Sequence, residues 1–501
     1  MTVETEVGEF RRGRLSSAST TALWGVGILI FGLILLVSAV ELVPYIFGNV
    51  LNGVTSTRLI WVGSGLLVAA AAWALAISNR GPLRTHPLLG CLVAIGAIRL
   101  LDVALVPAPL LSDFQHYHNL AVQIAHQGPM LSTVPTGYPM MLAVVYAIFG
   151  VNPLYAQLLN CIIAIVTGAM LYDVARRLWG DRAAALALWL FALTPSLILM
   201  TGILGSEAPY GLLLMTAIWL SVRFGSRRLL AAFAVGCVLA ASEYVRATTP
   251  VLIPAFMAIP FLTPGARWRS ASVRAAILIV GFLVCQLPIV AWNLQNRGEL
   301  SISTSYFGGW SLLVGTDRNN NGQYDANMKA VVGLTYGTAE FDRKAGQIAI
   351  ERLKGNPMEF VGLAAQKFPR MWGAEDYGVA WTMGTSHPND GNVSSTLLLL
   401  SQICYVATIG LVLLGLWRIR RLLPPAAVAI VLMVAALVVT HTFLEIQPRY
   451  HAYLVPLFCI LAGPGFAAIR IPRLLRRQAQ SFRDTQGGSP SRPSPAHDSA
   501  S

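Results

Sequence analysis

Long apolar runs recur from Leu23 to Ala468, separated by short polar stretches rich in Arg. The runs lie near 23–47, 59–78, 88–107, 153–172, 183–202, 208–224, 229–245, 248–264, 273–293, 396–416, 424–443 and 452–470. Each approaches the ~20 apolar residues that a helix needs to cross a bilayer. The pattern predicts an all-α polytopic membrane protein of about 12 transmembrane helices. Between the third and fourth runs lies the stretch PLLSDFQHYHNLAVQIAHQGPMLSTVPTGYPMMLAVVYAIF, from Pro109 to Phe149. Its last part, Tyr138–Phe149, is too short to span and is expected in the interface.

Arg placement sets the topology. Arg11, Arg12 and Arg14 precede the first run and place the N-terminus in the cytoplasm. With Tyr138–Phe149 in the interface, Arg176/Arg177/Arg182, Arg223/Arg227/Arg228, Arg267/Arg269/Arg274, Arg418/Arg420/Arg421 and Arg470/Arg473/Arg476/Arg477 all fall inside. Both termini are then cytoplasmic. The predicted organisation is a cytoplasmic segment 1–21, a transmembrane core 22–293 with an outer loop 108–152, an extracytoplasmic segment 294–395, C-terminal transmembrane helices 396–470, and a basic, then disordered tail 471–501. Within 294–395, Thr338–Lys354 reads as a helix stopped by Asn356-Pro357, and Met358–Trp372 as an amphipathic helix whose apolar face suits a membrane surface.

Composition sharpens this. The 501 residues are 55% hydrophobic and 12% charged, against about 25% charged in soluble proteins. Mean hydropathy is +0.61. The net charge of +13 does not point to nucleic acid, because the Arg residues sit between apolar runs and form no basic groove interleaved with aromatics. Cys91, Cys161, Cys237, Cys285, Cys404 and Cys459 all lie inside apolar runs, so no disulfide framework is implied. The first run is too long for a cleavable signal segment.

Against this apolar background a few ionisable residues stand out. On a helix, Asp113, His116 and Tyr117 share a face. Asp113 reads as a general base facing an outer cavity or as an N-terminal helix cap. Glu207 lies where the chain re-enters the membrane, an expensive place for an acid unless it is paired or faces water. Arg246 falls at the outer face and asks for an anionic partner such as a lipid phosphate, or pairs locally with Glu243. His441, Glu445 and Arg449 step by four, so one helix face can hold all three. His441 with Glu445 admits a divalent metal or a hydrogen-bonded helix end. His116 and His118 would point apart on a helix. Asp317 to Asp325 begins like a calcium loop, but its twelfth position is Met328, so a polar turn is expected.

SDFQHY at Ser112–Tyr117, PTGYPMMLAVVYAIFG at Pro135–Gly150, LYDVARRLWG at Leu171–Gly180, TPSLILMTGILGSEAPYGLLL at Thr194–Leu214 and PRYHAYLVPL at Pro448–Leu457 form an ordered set of pieces. AWNLQNRG at Ala291–Gly298, GGWSLLVGT at Gly308–Thr316 and IAIERLKGNPMEFVGLAAQKFPRMW at Ile348–Trp372 belong to it as well. Together they resemble the polytopic GT-C glycosyltransferases, specifically bacterial relatives of protein O-mannosyltransferases and aminoarabinose transferases. The resemblance implies a multi-pass protein of the bacterial inner membrane that takes a sugar from a polyprenyl phosphate. It passes that sugar to a lipid, glycan or protein acceptor outside, by inversion, with no nucleic-acid partner. It implies catalytic roles for Asp113 and Glu207 and donor-phosphate contacts for Arg246 and Arg449. His116, Tyr117, Tyr138, Glu243, His441 and Glu445 are then expected around the substrate cavity. No cofactor is assigned, and a divalent metal is the one the residues admit. Two departures stand out. Phe114 follows Asp113 where some relatives carry paired acids, and two extra runs precede the loop. The alternative from a different class is a secondary transporter or flippase for an envelope precursor, which would place its ionisable residues near mid-membrane and show repeat symmetry.

Overall fold

The computed structural model describes residues 17–51, 87–130, 132–224, 228–383, 391–420 and 424–468. The predicted run 59–78 and the tail 471–501 lie outside the described residues. Nineteen α-helices and two 3-10 helices make up the regular structure among the described residues, and the only pairing of β type is an isolated bridge between Ser132 and Ser305. The chain is all-α, as its apolar periodicity predicts.

The helices are α1 (Ser17–Leu51), α2 (Pro87–Leu105), α3 (Ser112–Gln127), α4 (Gly137–Phe149), α5 (Pro153–Trp179), α6 (Asp181–Leu193), α7 (Pro195–Leu199), α8 (Glu207–Arg223), α9 (Leu229–Val245) and α10 (Ile253–Leu262). Then come α11 (Trp268–Arg297), α12 (Gly308–Gly315), α13 (Met328–Val332), α14 (Ala339–Gly355), α15 (Pro357–Trp372), α16 (Tyr377–Thr382), α17 (Gly391–Ile419), α18 (Pro425–Phe443) and α19 (Val455–Ala468). The 3-10 helices are Thr249–Leu252 and Pro448–Leu454.

Among the described residues six helices, α1, α2, α5, α11, α17 and α18, are long and apolar enough to cross a membrane. That is fewer than the roughly twelve spans expected. The run 59–78 is not described, and the runs 208–224 and 229–245 form helices of 17 residues each. The other three differ for local reasons. The run 183–202 breaks at Thr194-Pro195, because the ring restricts the residue before it and leaves no N–H for the helix ladder. The run 248–264 splits at its Pro-bearing start into a 3-10 turn and the ten-residue α10. The run 452–470 likewise opens in 3-10 form before α19. α4, at 13 residues, is short of a span, as read from sequence.

Close helix pairs rest on small residues. Gly236 of α9 faces the backbone of Leu278 and Phe282 on α11, and Gly281 of α11 faces the backbone of Phe233. α17 and α19 repeat the device, with Gly415 against Leu461 and Gly465 against Leu411. Any Cβ at these points would collide with backbone, so the approach depends on glycine.

α14 begins with the Thr338 hydroxyl accepting from Phe341 N at 3.1 Å, and α15 with Asn356 Oδ1 accepting from Glu359 N at 3.2 Å and Pro357 in the first turn. Both helices fall where the sequence places them. The inner face of α15 packs on α1, α18 and the second 3-10 helix, and it includes Lys367 among Leu363, Met371 and Trp372. Segment 294–395 is thereby fastened onto the ends of the apolar helices. Glu445 N donates to Ser311 O at 2.9 Å, and Ile446 N to Gly322 O at 2.9 Å.

Candidate active site

Helix ends build the site. α8 starts at Glu207, α9 ends just before Arg246, α18 ends two residues after His441, and α11 ends at Arg297. All four residues border one cavity of about 1390 Å³, which residues between Ser301 and Arg343 also line. Asp113, His116 and Tyr117, three and four apart on α3, border it too. Asp113 does not cap α3. Leu111 holds the cap position without a side-chain bond, and Ser112 bends the entry with φ of +49°.

Freed from capping, the Asp113 carboxylate accepts from Arg449 Nη2. Arg449 Nε lies 3.7 Å from Glu207 Oε1, and Arg246 Nη1 donates to that same oxygen at 2.9 Å and to Ser206 Oγ at 3.1 Å. The result is a neutral chain, Asp113–Arg449–Glu207–Arg246. Its inner members are buried, with side chains 4% exposed at Glu207 and 7% at Arg449, whereas Asp113 is 39% exposed toward the cavity. Burial works against the charge on both guanidiniums, and the carboxylates, Glu207 first, more than reverse it. The Arg449 guanidinium lies 5.5 Å from the Phe114 ring and 5.8 Å from Trp381, and Arg246 lies 5.0 Å from Tyr450 and 5.3 Å from Tyr453. These rings fix the planes of the cations.

Other expectations resolve individually. Arg246 does not pair with Glu243; its partner is Glu207, and Glu243, which lines the cavity, has a buried Oε2 without a hydrogen-bond partner among the described residues. His116 and His118 do point apart, His116 Nε2 to Ser132 Oγ at 3.5 Å and His118 Nδ1 to the Tyr146 hydroxyl at 2.8 Å. Burial pushes both imidazoles below their usual range. Tyr138 does not border the cavity. It is fully buried behind Tyr117, ring to ring at 5.5 Å, because its helix α4 packs against α3 from the far side. His441, Glu445 and Arg449 do not share a helix face. α18 stops at Phe443, Leu444 is extended, and Pro448 opens a 3-10 turn that carries Arg449. All three nonetheless meet at the cavity.

His441 Nδ1 lies 2.8 Å from the backbone oxygen of Glu445, which is the hydrogen-bonded helix end. Among the described residues no group of three or more His, Cys, Asp or Glu side chains is placed to hold a metal ion. The Asp317–Asp325 loop is a polar turn in which the Asn320 amide bridges Asp317 Oδ2 at 3.1 Å and Asp325 Oδ2 at 2.9 Å.

Three features escaped the sequence. Tyr450 joins the Arg246 side of the site to Glu445, its hydroxyl 3.3 Å from Glu445 Oε1. Its signal was adjacency to Arg449. Lys367 is buried and donates to Gly315 O, Thr442 O and Leu444 O at 2.9, 2.8 and 2.7 Å. A lysine in the apolar i, i+4 row with Leu363 and Met371 was its signal. Glu375 and His451 form a fully buried pair at 2.7 Å, with Tyr377 OH donating to Glu375 at 2.7 Å and His451 Nδ1 at 2.7 Å from Met371 O. No local pattern announces a contact between residues 76 apart.

The fold and site define an all-α polytopic membrane protein with paired acids and guanidiniums in a cavity at one end of its helices. The model of the dolichyl-phosphate-mannose-protein mannosyltransferase family matches residues 133–292. This agrees with the GT-C glycosyltransferase resemblance of the sequence. No curated protein matches the chain. Among solved structures, the oligosaccharyltransferase of Archaeoglobus fulgidus in its apo form is similar over 81% of this chain and 52% of its own, at 12% identity and a TM-score of 0.46. The same protein tethered to an acceptor peptide gives 80%, 51%, 12% and 0.47. ArnT from Cupriavidus metallidurans bound to undecaprenyl phosphate is similar over 86% of this chain and 82% of its own, at 14% identity and a TM-score of 0.33. The chain spans about half the length of the archaeal protein.

Proposed function

We propose that this chain is an integral-membrane glycosyltransferase that moves a sugar from a polyprenyl phosphate to an acceptor on the extracytoplasmic face. The observation that carries the reading is the chain of ion pairs Asp113–Arg449–Glu207–Arg246 on the wall of one large cavity. Outside the cell membrane a nucleotide sugar is not expected, so a lipid-borne donor suits such a cavity. The leaving group is then the polyprenyl phosphate, and Arg246 and Arg449 offer fixed cations for its charge. Glu207, shared by both, holds them in place. A phosphate that reaches Arg449 competes with Asp113 for the guanidinium and frees the carboxylate. Asp113 then takes the proton of the acceptor hydroxyl or amine as that atom bonds to the anomeric carbon and the carbon–oxygen bond to phosphate breaks. Displacement from the side opposite the phosphate inverts the anomeric carbon. The transporter or flippase alternative is disfavoured because the cavity charges sit at helix ends.

Purified chain in liposomes with labelled polyprenyl-phosphate sugars tests the reading. Asp113→Asn should lower transfer by ~100- to 10,000-fold, the range for loss of a general base. Transfer at the wild-type rate in that variant would remove Asp113 from the mechanism. Arg246→Ala should raise the KM for donor more than that for acceptor. Equal effects on both would count against a phosphate contact.

A further inference from the structure

The ion-pair chain leaves part of the cavity wall without a task. His441 and Glu445 are 5% and 2% exposed, and both border the cavity. His441 turns Nδ1 to a backbone carbonyl oxygen, which can only accept. The proton of the neutral ring therefore sits on Nδ1, and Nε2 presents its lone pair. That Nε2 has no hydrogen-bond partner among the described residues. At Glu445, Gln447 Nε2 and the Tyr450 hydroxyl both donate to Oε1, at 2.9 and 3.3 Å, while Oε2 has none. Glu243 Oε2 on the same cavity is equally unmatched. Buried polar atoms without partners are rare and costly. His441 Nε2 and the carboxylate oxygen Glu445 Oε2 are acceptors, whereas the unmatched N–H groups on the same cavity belong to Arg297 and Arg449. Tyr450 locates the two acceptors. Its ring lies 5.4 Å from His441 and 5.0 Å from the Arg246 guanidinium, its hydroxyl reaches Glu445, and it adjoins Arg449 in the chain.

We infer that His441 Nε2 and Glu445 Oε2 form the subsite that accepts hydrogen bonds from the hydroxyls of the donor's sugar ring while its phosphate rests on Arg246 and Arg449. The inference rests on the donor reading above. The occupant must bring donors. Phosphate oxygens are themselves acceptors and would meet lone pairs, and a prenyl tail would leave the atoms unmatched. A hexose presents several O–H groups within reach of an anchored phosphate. A metal ion fits less well, since no third ligand is placed for it among the described residues.

The test measures binding to the purified full chain in nanodiscs, with undecaprenol, undecaprenyl phosphate, undecaprenyl phosphate mannose and undecaprenyl phosphate glucose as probes. Wild type should bind at least one sugar lipid ~10-fold or more tighter than the bare phosphate lipid, the order expected for hydrogen bonds to a charged group. Glu445→Gln and His441→Phe should lose that increment and keep the affinity for undecaprenyl phosphate within about 2-fold, which also reports that they fold. Variants that keep the increment overturn the subsite. So do variants that lose both lipids equally, and so does a divalent cation that binds wild type but not Glu445→Gln. Wild type that gains nothing from either sugar refutes the subsite alone. Wild type that binds undecaprenyl phosphate no better than undecaprenol refutes the donor reading itself.

Discussion

Glu207 touches two guanidiniums with one oxygen, and that geometry separates it from Asp113 although both are acids on the same cavity. With its side chain 4% exposed, Glu207 compensates two buried cations. Removing one partner of a buried pair costs about 3–5 kcal/mol, because the stranded charge remains desolvated. Asp113 is 39% exposed, and pairs open to water contribute about 1 kcal/mol or less. Glu207→Gln is therefore expected to lower the thermal unfolding midpoint in detergent clearly, and Asp113→Asn, which leaves Glu207 beside Arg449, to lower it less while transfer fails. Equal midpoints for the two variants would show that Glu207 does not hold the arginines. The difference between the acids was invisible in the sequence, where each is a lone carboxylate beside an apolar run. Their meeting was legible, because each stands at a helix end that the positive-inside pattern assigns to one face.

At the scale of elements, α15 shows what a hydrophobic pattern misses. Its apolar row was readable, but the row includes Lys367, whose ammonium closes three carbonyls from the ends of α12 and α18. Those carbonyls are the unsatisfied groups that any helix C-terminus leaves. Lys367→Met strands them and should loosen the Thr442–Ile446 turn, measurable as faster amide exchange there. Burial pushes the Lys367 amine from 10.5 down to about 7, with Glu445 opposing. The unfolded chain keeps that proton up to about 10.5, so between pH 7 and 10.5 unfolding takes a proton up. Rising pH then favours the folded state. Relative to Lys367→Met, the wild-type unfolding midpoint should rise from pH 7 to pH 9; a constant difference would mean that Lys367 does not titrate in this range. The helices α14 and α15 were legible because Thr338, Asn356 and Pro357 are local signals. The breaks at Pro195 and near Pro250 were written just as plainly, but run length outweighed them. The pair Glu375–His451 had no local signal at all.

Over the whole molecule, one polarity runs through the helices. α8 carries Glu207 at its cavity end and Arg223 at the other; α9 runs from Arg228 to Glu243; α11 runs from Arg267, Arg269 and Arg274 to Arg297 at the cavity. α18 reaches the cavity at His441 and starts after Arg418 and Arg420 at the end of α17. Helices that alternate in direction thus agree on which end bears arginine clusters and which bears the site. If those clusters are retained inside, the site and the residues of segment 301–343 that line it must lie outside. Cysteine labelling of intact cells with a membrane-impermeant maleimide decides this, after the native thiols, none of them exposed, have been accounted for. Lys354→Cys, on the exposed side of α14, should react in intact cells, whereas exposed Arg182→Cys and Arg269→Cys at the arginine-bearing ends should react only after permeabilisation. Labelling of Lys354→Cys and Arg182→Cys from the same side would break the link between arginine placement and the cavity, and a donor delivered from the outer leaflet could no longer reach Arg246 and Arg449.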